Sequence, residues 1–202
     1  MKKQIEDKAK ELFYNKEYSK AISYFKKIND NYSTGLCYLL LKEEKYAKKH
    51  FEHAKKSSPA ANWGLCFLDF INLRPSKQAT FFQTRAFLEV YLNLFIENHL
   101  IEYAQNLISS SDSLYFANPE SYKFIARALF ANGYFPLAIT FCEKSLRIFY
   151  SDPEALLILS QCLFLIGKIE EAKTTNEKIL KIAPDYYPSK LFKVILENQT
   201  KN

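Results

Sequence analysis

The sequence predicts an all-α fold, and three observations carry that expectation. Four glycines and seven prolines among 202 residues leave too few positions of positive φ for the tight hairpins of a β-sandwich or propeller. Apolar residues recur at helical spacing, as in Leu156, Leu159, Leu163 and Ile166, then Ile169, Ala172, Ile179 and Ile182. Finally, one residue is followed twelve positions later by an alanine five times over: Ala9/Ala21, Gly35/Ala47, Leu92/Ala104, Ala126/Ala138 and Ser160/Ala172. Hydrophobic residues make up 48% of the chain and charged residues 25%, a balance that builds a core rather than a disordered coil.

The spaced pairs mark helical hairpins. Two antiparallel helices cross tightly only where the facing side chains are small, with larger residues one turn away filling the space. Five pairs define units one, two, four, five and six. Gly64/Ala79, fifteen apart, defines the third, with a longer loop around Asn72, Arg74 and Pro75. The repetition is also visible directly, since Gly35-Leu36-Cys37-Tyr38-Leu39 returns 29 residues later as Gly64-Leu65-Cys66-Phe67-Leu68. The alanine anchors at 21, 47, 79, 104, 138 and 172 are spaced by 26, 32, 25, 34 and 34 residues, so only the last two intervals are regular.

Boundaries follow from turn chemistry. Gly133 and Gly167 fall between the paired helices of units five and six, where a left-handed residue ends the first helix. Asn118-Pro119 and Asp152-Pro153 each read as an N-cap followed by proline at the first helical position. Between Ser76 and Glu97 no Gly or Pro intervenes, leaving open whether this stretch is one helix or two. The run Ser109 to Ser113 reads as a flexible joint. Pro188 to Glu197 reads as a capping helix that covers the last apolar face and turns a polar side outward.

This pattern resembles the tetratricopeptide repeat, a 34-residue unit of W-x2-L-G-x2-Y, A-x3-F and a closing proline. The second unit reads Thr34-Gly35-x2-Tyr38, Ala47-x3-Phe51, Ala54 and Pro59. The sixth reads Leu159-Ser160-x2-Leu163, Gly167, Ala172 and Pro184, and the first and fifth give Ala9-x2-Leu12 with Ala21-x3-Phe25, and Ile125-Ala126-x2-Leu129 with Gly133 and Ala138. The resemblance implies a right-handed superhelix, an α-solenoid of about six helix-turn-helix units in a single domain over 1–202. Irregular units would cover about 2–112, regular ones about 119–184, and the capping helix about 187–199.

Net charge is +6, and the whole excess lies in the first 60 residues, which hold 14 Lys against 8 acids. A basic region of this kind attracts RNA, an acidic protein or an anionic surface, but no arginine-rich or aromatic-interleaved strip is legible beside it, and lysine is an ordinary helix former on solvated faces. Cys37, Cys66, Cys142 and Cys162 form no CxxC pair and lie in apolar runs, as buried free thiols do. After Met1-Lys2-Lys3, charged residues Glu6, Asp7, Lys8, Lys10 and Glu11 stand where a signal peptide needs an apolar segment. With no run of 18 apolar residues, no membrane insertion is expected, and the expected location is the cytoplasm.

No catalytic set, metal site or cofactor motif emerges. His50 and His53 share a helix face at i, i+3 but lack further ligands in sequence, His99 reads as a helix-end residue, and Trp63 reads as core. Neither GxGxxG nor GxxxxGK[ST] occurs. Projecting the first helix of each unit onto the inner side of a superhelix selects Lys10, Tyr14, Tyr32, Leu36, Asn93, Lys123, Arg127, Phe130, Gln161 and Phe164 as groove residues. Lys123 and Arg127 at i, i+4, beside Phe130 and Phe164, suit a peptide with a carboxylate and an apolar side chain. The Lys and Asn set with which chaperone-binding members of the family clamp a C-terminal carboxylate is missing. The resemblance implies a non-enzymatic scaffold that binds a protein or peptide partner. An RNA-binding helical repeat, or a secretion or assembly chaperone for an apolar client segment, are the alternatives.

Overall fold

The computed structural model describes residues 1–55, 62–75, 79–114 and 119–199. Every regular element among them is helical. In chain order these are α1 (Lys2–Tyr14), α2 (Tyr18–Lys27), α3 (Asn31–Leu40), α4 (Glu44–Lys55), α5 (Asn62–Ile71), α6, α7 (Ile101–Ser113), α8 (Ser121–Ala131), α9 (Phe135–Ile148), α10 (Pro153–Leu165), α11 (Ile169–Ile182) and α12 (Tyr187–Gln199). Helix α6 is continuous from Phe81–Ala86 through a π-helical turn, Phe87–Tyr91, to Leu92–Glu97. The chain groups into two compact units, one of Met1–Ala79 with Asn98–Asn106, the other of Thr80–Glu97 with Leu107–Asn202.

In the first unit α1 packs on α2, α2 on α3, α3 on α4 and α4 on α5. The expected small pairs sit at the crossings, with Ala9, Ala21 and Ala47 fully buried. Gly35 has the Phe51 ring where a Cβ would lie, 2.6 Å from Cε1, so its lack of a side chain is required. Gly64 is placed differently from the expectation. It faces the same Phe51 ring, 2.3 Å from a built Cβ to Cδ1, while Ala79 lies outside any helix. Thus Gly64/Ala79 is not a hairpin pair. What closes α5 is the first part of α7, where Asn106 Nδ2 donates to the Ile71 carbonyl at 2.9 Å and the Tyr103 hydroxyl donates to Glu44 Oε1 at 2.7 Å. The third repeat is therefore interrupted by α6, which accounts for the irregular anchor spacing there.

In the second unit the first-type helices α6, α8, α10 and α12 lie side by side in that order, with α9 between α8 and α10 and α11 between α10 and α12. Ala126, Ala138, Ser160 and Ala172 are fully buried at their crossings, and Ser160 Oγ donates to the Ala172 carbonyl at 2.6 Å. Helix α6 starts at a reciprocal cap in which Thr80 Oγ1 accepts from Gln83 N at 3.2 Å and Gln83 Oε1 accepts from Thr80 N at 2.8 Å. From Phe81 to Glu97 the open question is settled as one helix. Its π turn buries Phe87 and Leu88, and Asn93 Nδ2 donates to the Glu89 carbonyl inside the widened turn at 2.7 Å.

The hairpin turns share one cap. A residue in the left-handed region follows the first helix at Lys16, Lys42, His99, Gly133 and Gly167, with φ between 57° and 83°; each stands seven residues after the pair's first member. After Lys16, Lys42, Gly133 and Gly167 the next amide reaches back five residues, as in Glu43 N to Tyr38 O at 2.8 Å and Lys168 N to Leu163 O at 2.9 Å. His99 is thus the helix-end residue the sequence implied.

Three boundary expectations are corrected. Ser109 to Ser113 is no joint, because it is the last stretch of α7, with Ser110 and Ser111 buried and Ser111 Oγ donating to the Leu107 carbonyl at 2.8 Å. A hydroxyl that bonds the carbonyl four residues back tolerates a buried helix face. Pro119 lies in a turn, and α8 begins after Glu120. Helix α12 does not turn a polar side outward, since Tyr187, Leu191, Val194 and Ile195 are exposed. Asp152 behaves as expected, accepting from Glu154 N at 2.9 Å and Ala155 N at 3.2 Å. Pro59, Ser76 and Asn118 lie outside the described residues.

Candidate functional site

The second unit gathers charge along its first-type helices. On α8, Lys123 and Arg127 are one turn apart; Asp152 caps α10 and Glu154 occupies its first turn, where the helix dipole favours a carboxylate; Glu89 sits in the π turn of α6. These positions converge. Arg127 donates through Nη1 to Glu89 and through Nη2 to Glu154. Lys123 Nζ donates to Asp152 Oδ2 at 2.8 Å and lies 3.4 Å from Glu120 Oε1 and 3.5 Å from Glu154 Oε2. Arg85 Nε donates to Glu89 Oε2 at 2.8 Å. The cations also stand over the buried Phe124 ring, Arg85 at 5.1 Å and Arg127 at 5.6 Å from its centroid. Asn132 Nδ2 extends the chain by donating to Asn93 Oδ1 at 2.7 Å.

Burial works against the Lys123 charge, but the hydrogen bond to Asp152 with the charges of Asp152, Glu120 and Glu154 outweighs it and raises the ammonium above its ordinary value. Tyr186 is raised by burial first, then by Glu154 and Asp152, with Arg127 and Lys123 opposing. The two cations expected in the groove differ in reach. Lys123 has 11% of its side chain exposed and is enclosed by its own carboxylates, whereas Arg127 keeps 36% exposed. Arg127 can therefore exchange one carboxylate for another's, while Lys123 organises the helix starts.

Of the expected groove residues, Asn93, Lys123 and Arg127 belong to this network. Phe130 packs against Phe135 with centroids 6.0 Å apart, Phe164 stands edge-on to Phe192 at 5.7 Å, and Gln161 is half-buried on α10. In the first unit Lys10 is exposed and paired with Glu6 at 2.6 Å. There Tyr14 is 79% exposed, Tyr32 tilts over Phe51 at 5.6 Å and Leu36 is buried. Sequence reading missed Glu120 and Glu154 as partners and saw Asp152 only as a cap. The available signal was an acidic residue at the start of successive first helices.

The first unit also holds an aromatic strip that was not legible in the sequence. Tyr38 stacks with Tyr46 (5.3 Å, 27°) and with His50 (5.4 Å, 17°), and Lys26 Nζ donates to the Tyr38 hydroxyl at 2.9 Å. Lys27 lies 4.7 Å from the Tyr24 ring centroid. His50 Nδ1 is 3.0 Å from Asn31 Oδ1, and burial, then Lys26, His53 and Lys49, hold its pKa below the ordinary value. His53 Nδ1 is 2.6 Å from the Lys49 carbonyl. Among the described residues no cluster of three His, Cys, Asp or Glu side chains is placed to hold a metal. All four cysteines are free, and burial pushes Cys37 up to about 12 and Cys66 and Cys162 to about 11, far from the thiolate state that nucleophilic chemistry needs. No helix among the described residues is long and apolar enough to cross a membrane.

Residues 153–186, which are α10, α11 and the turn that follows, match the family model of the tetratricopeptide repeat. No curated protein sequence matches the chain. Among solved structures, it is similar to the first TPR of Spaghetti (RPAP3) bound to an HSP90 peptide, at 20% identity and a TM-score of 0.47, covering 59% of this chain and 95% of that one. It is also similar to the C-terminal part of a TPR repeat-containing protein from Cytophaga hutchinsonii, at 20% identity and 0.47, over 94% and 69%. A third is the TPR domain of P58(IPK), at 14% identity and 0.45, over 99% and 65%.

Proposed function

We propose, from the premise that the chain is a tetratricopeptide-repeat protein, that it is a non-enzymatic module which binds a protein or peptide partner along the first-type helices of its second unit. The observation that supports this reading most is Arg127, a partly exposed guanidinium held at the centre of α6, α8 and α10 by carboxylates from the helices on either side. A planar fork set this way presents donors to an incoming carboxylate without reorganising its stem. Phe130 and Phe164, half-buried on the same first-type helices, offer apolar surface for a neighbouring side chain of the partner. A cytoplasmic setting fits this role.

The test is affinity capture from native lysate with the full chain, comparing the unmodified protein, Arg127→Ala and Lys123→Ala, each with and without ribonuclease. Loss of a captured protein with Arg127→Ala, in a variant whose helical content is unchanged, supports the reading; capture indifferent to Arg127 removes it. A second reading, RNA binding, draws on the Lys26, Tyr38, Tyr46 and His50 strip, since bases stack on exposed aromatics flanked by cations. It requires ribonuclease-sensitive capture that weakens steeply with salt.

A further inference from the structure

Helix α12 meets its own unit along a narrow strip. Ser189, Phe192 and Leu196 are buried, at i, i+3 and i+7. Ser189 Oγ donates to Asn176 Oδ1 at 2.6 Å, and Asn176 Nδ2 returns a bond to the Ser189 carbonyl at 3.1 Å. The opposite side should be polar if water were its neighbour. Instead Tyr187, Leu191, Val194 and Ile195 are 67%, 51%, 54% and 49% exposed. They stand at i, i+4, i+7 and i+8, which is one continuous stripe of a helix. The helix is amphipathic on both counts at once, with a seam for its own unit and a second seam facing outward.

The charges beside the outer stripe say what covers it. About 100° per residue places Lys190, Lys193 and Glu197 together on one flank, with Lys193 Nζ 3.6 Å from Glu197 Oε1. Turning a second α12 antiparallel about a two-fold axis between Lys193 and Val194 brings Leu191 within one residue of Ile195 of the second copy. The same operation brings Lys190 to Glu197 of the second copy and, by symmetry, Glu197 to Lys190. The flank is thus its own electrostatic complement. A parallel two-fold pair would put the two charged flanks on opposite sides of the seam, where Lys190 and Glu197 do not meet. An isologous interface needs this self-complementarity, and flanking charges of this kind select orientation in paired helices.

We propose that α12 is a homodimerisation helix, pairing antiparallel with α12 of a second copy of this chain through the Tyr187, Leu191, Val194 and Ile195 stripe. This is independent of the partner-binding face formed by the other first-type helices.

Sedimentation equilibrium on the purified full chain, from about 1 to 100 μM, tests it. The expected species is twice the 23.6 kDa chain mass. Val194→Lys should weaken the dimer by about a hundredfold or more, because it places a charge in the seam, with unchanged circular dichroism, since Val194 is solvent-facing in the isolated chain. Lys190→Glu or Glu197→Lys alone should weaken it about three- to tenfold, as two symmetry-related rim pairs are lost, and the two together should restore it. A chain that stays monomeric at 100 μM overturns the proposal, as does a dimer indifferent to Val194→Lys. Failure of the double charge exchange to restore association overturns the antiparallel pairing. A monomer that loses a different captured protein, or binding to anionic vesicles, on Val194→Lys assigns the stripe to that occupant and likewise overturns the proposal.

Discussion

Gly64 stands against Phe51 so closely that a Cβ built on it would fall 2.3 Å from the ring, and Gly35 approaches the same ring to 2.6 Å. One phenylalanine from α4 is thereby shared by two first-type helices, a joint that only two glycines permit. Gly64→Ala should destabilise the protein by about 1–3 kcal/mol through overpacking. In a Phe51→Leu background the added cost of Gly64→Ala should shrink, because the two sites are coupled. Urea unfolding of the four variants gives the coupling directly. Additive effects would mean that the ring is not what excludes the methyl group.

The shared hairpin cap makes an opposite prediction for lysines and glycines. Lys16 and Lys42 hold φ of 60° and 62°, whereas Gly133 and Gly167 hold 79° and 83° with nothing near a built Cβ. A left-handed residue with a side chain costs about 1 kcal/mol or more, which glycine escapes. Lys42→Gly should therefore raise stability by about 0.5–1 kcal/mol and Gly167→Ala lower it by about 1 kcal/mol. Thermal unfolding in which both changes act in the same direction would refute this account of the turn.

Asp152 has two duties, as the cap of α10 and as the nearest partner of Lys123. Asp152→Ala should cost about 2–3 kcal/mol, the sum of a lost cap and a poorly exposed cation deprived of its closest carboxylate. Glu154→Ala, at a more exposed position, should cost less than about 1 kcal/mol. Equal losses in chemical denaturation would overturn the assignment of two duties to Asp152.

His50 sets an acid limit on the first unit. Its folded pKa lies below the usual 6.5 because of burial, then the charges of Lys26, His53 and Lys49. As pH falls through 6.5 the unfolded chain takes up this proton first, so its stabilising contribution declines, and the loss is complete only below the folded pKa. Ring titration followed by NMR should place His50 below 6.5, and His50→Gln should flatten the decline in stability between about pH 7 and 5. A His50 that titrates at or above 6.5 would contradict the packing against Tyr38 and Asn31.

Much of the fold was legible because close helix crossings impose a demand on residue size that survives as a spacing. Ala9/Ala21, Gly35/Ala47, Ala126/Ala138 and Ser160/Ala172 are readable for that reason. Gly64 was misassigned because its neighbour is a ring on the preceding helix, a relation with no fixed distance along the chain. Ser109 to Ser113 looked like a joint by composition, yet each hydroxyl can satisfy itself on its own helix, as Ser111 does. At the site, the i, i+4 relation of Lys123 and Arg127 was visible and their acids were not. Glu89 and Glu154 reach Arg127 from 38 and 27 residues away, through packing that no local pattern encodes. The Thr80/Gln83 cap was legible and overlooked, and with it the start of α6.

The widened turn at Phe87–Tyr91 has a bearing on how the chain can change in length. A π turn holds one residue more than the regular helix on either side, and here it lies within the helix that interrupts the third repeat. Deleting a single residue there would be absorbed by relaxation to ordinary α geometry, with the cap at Thr80 and the helix end after Glu97 retained. The array thus carries its own slack, stored in a helix rather than in a loop.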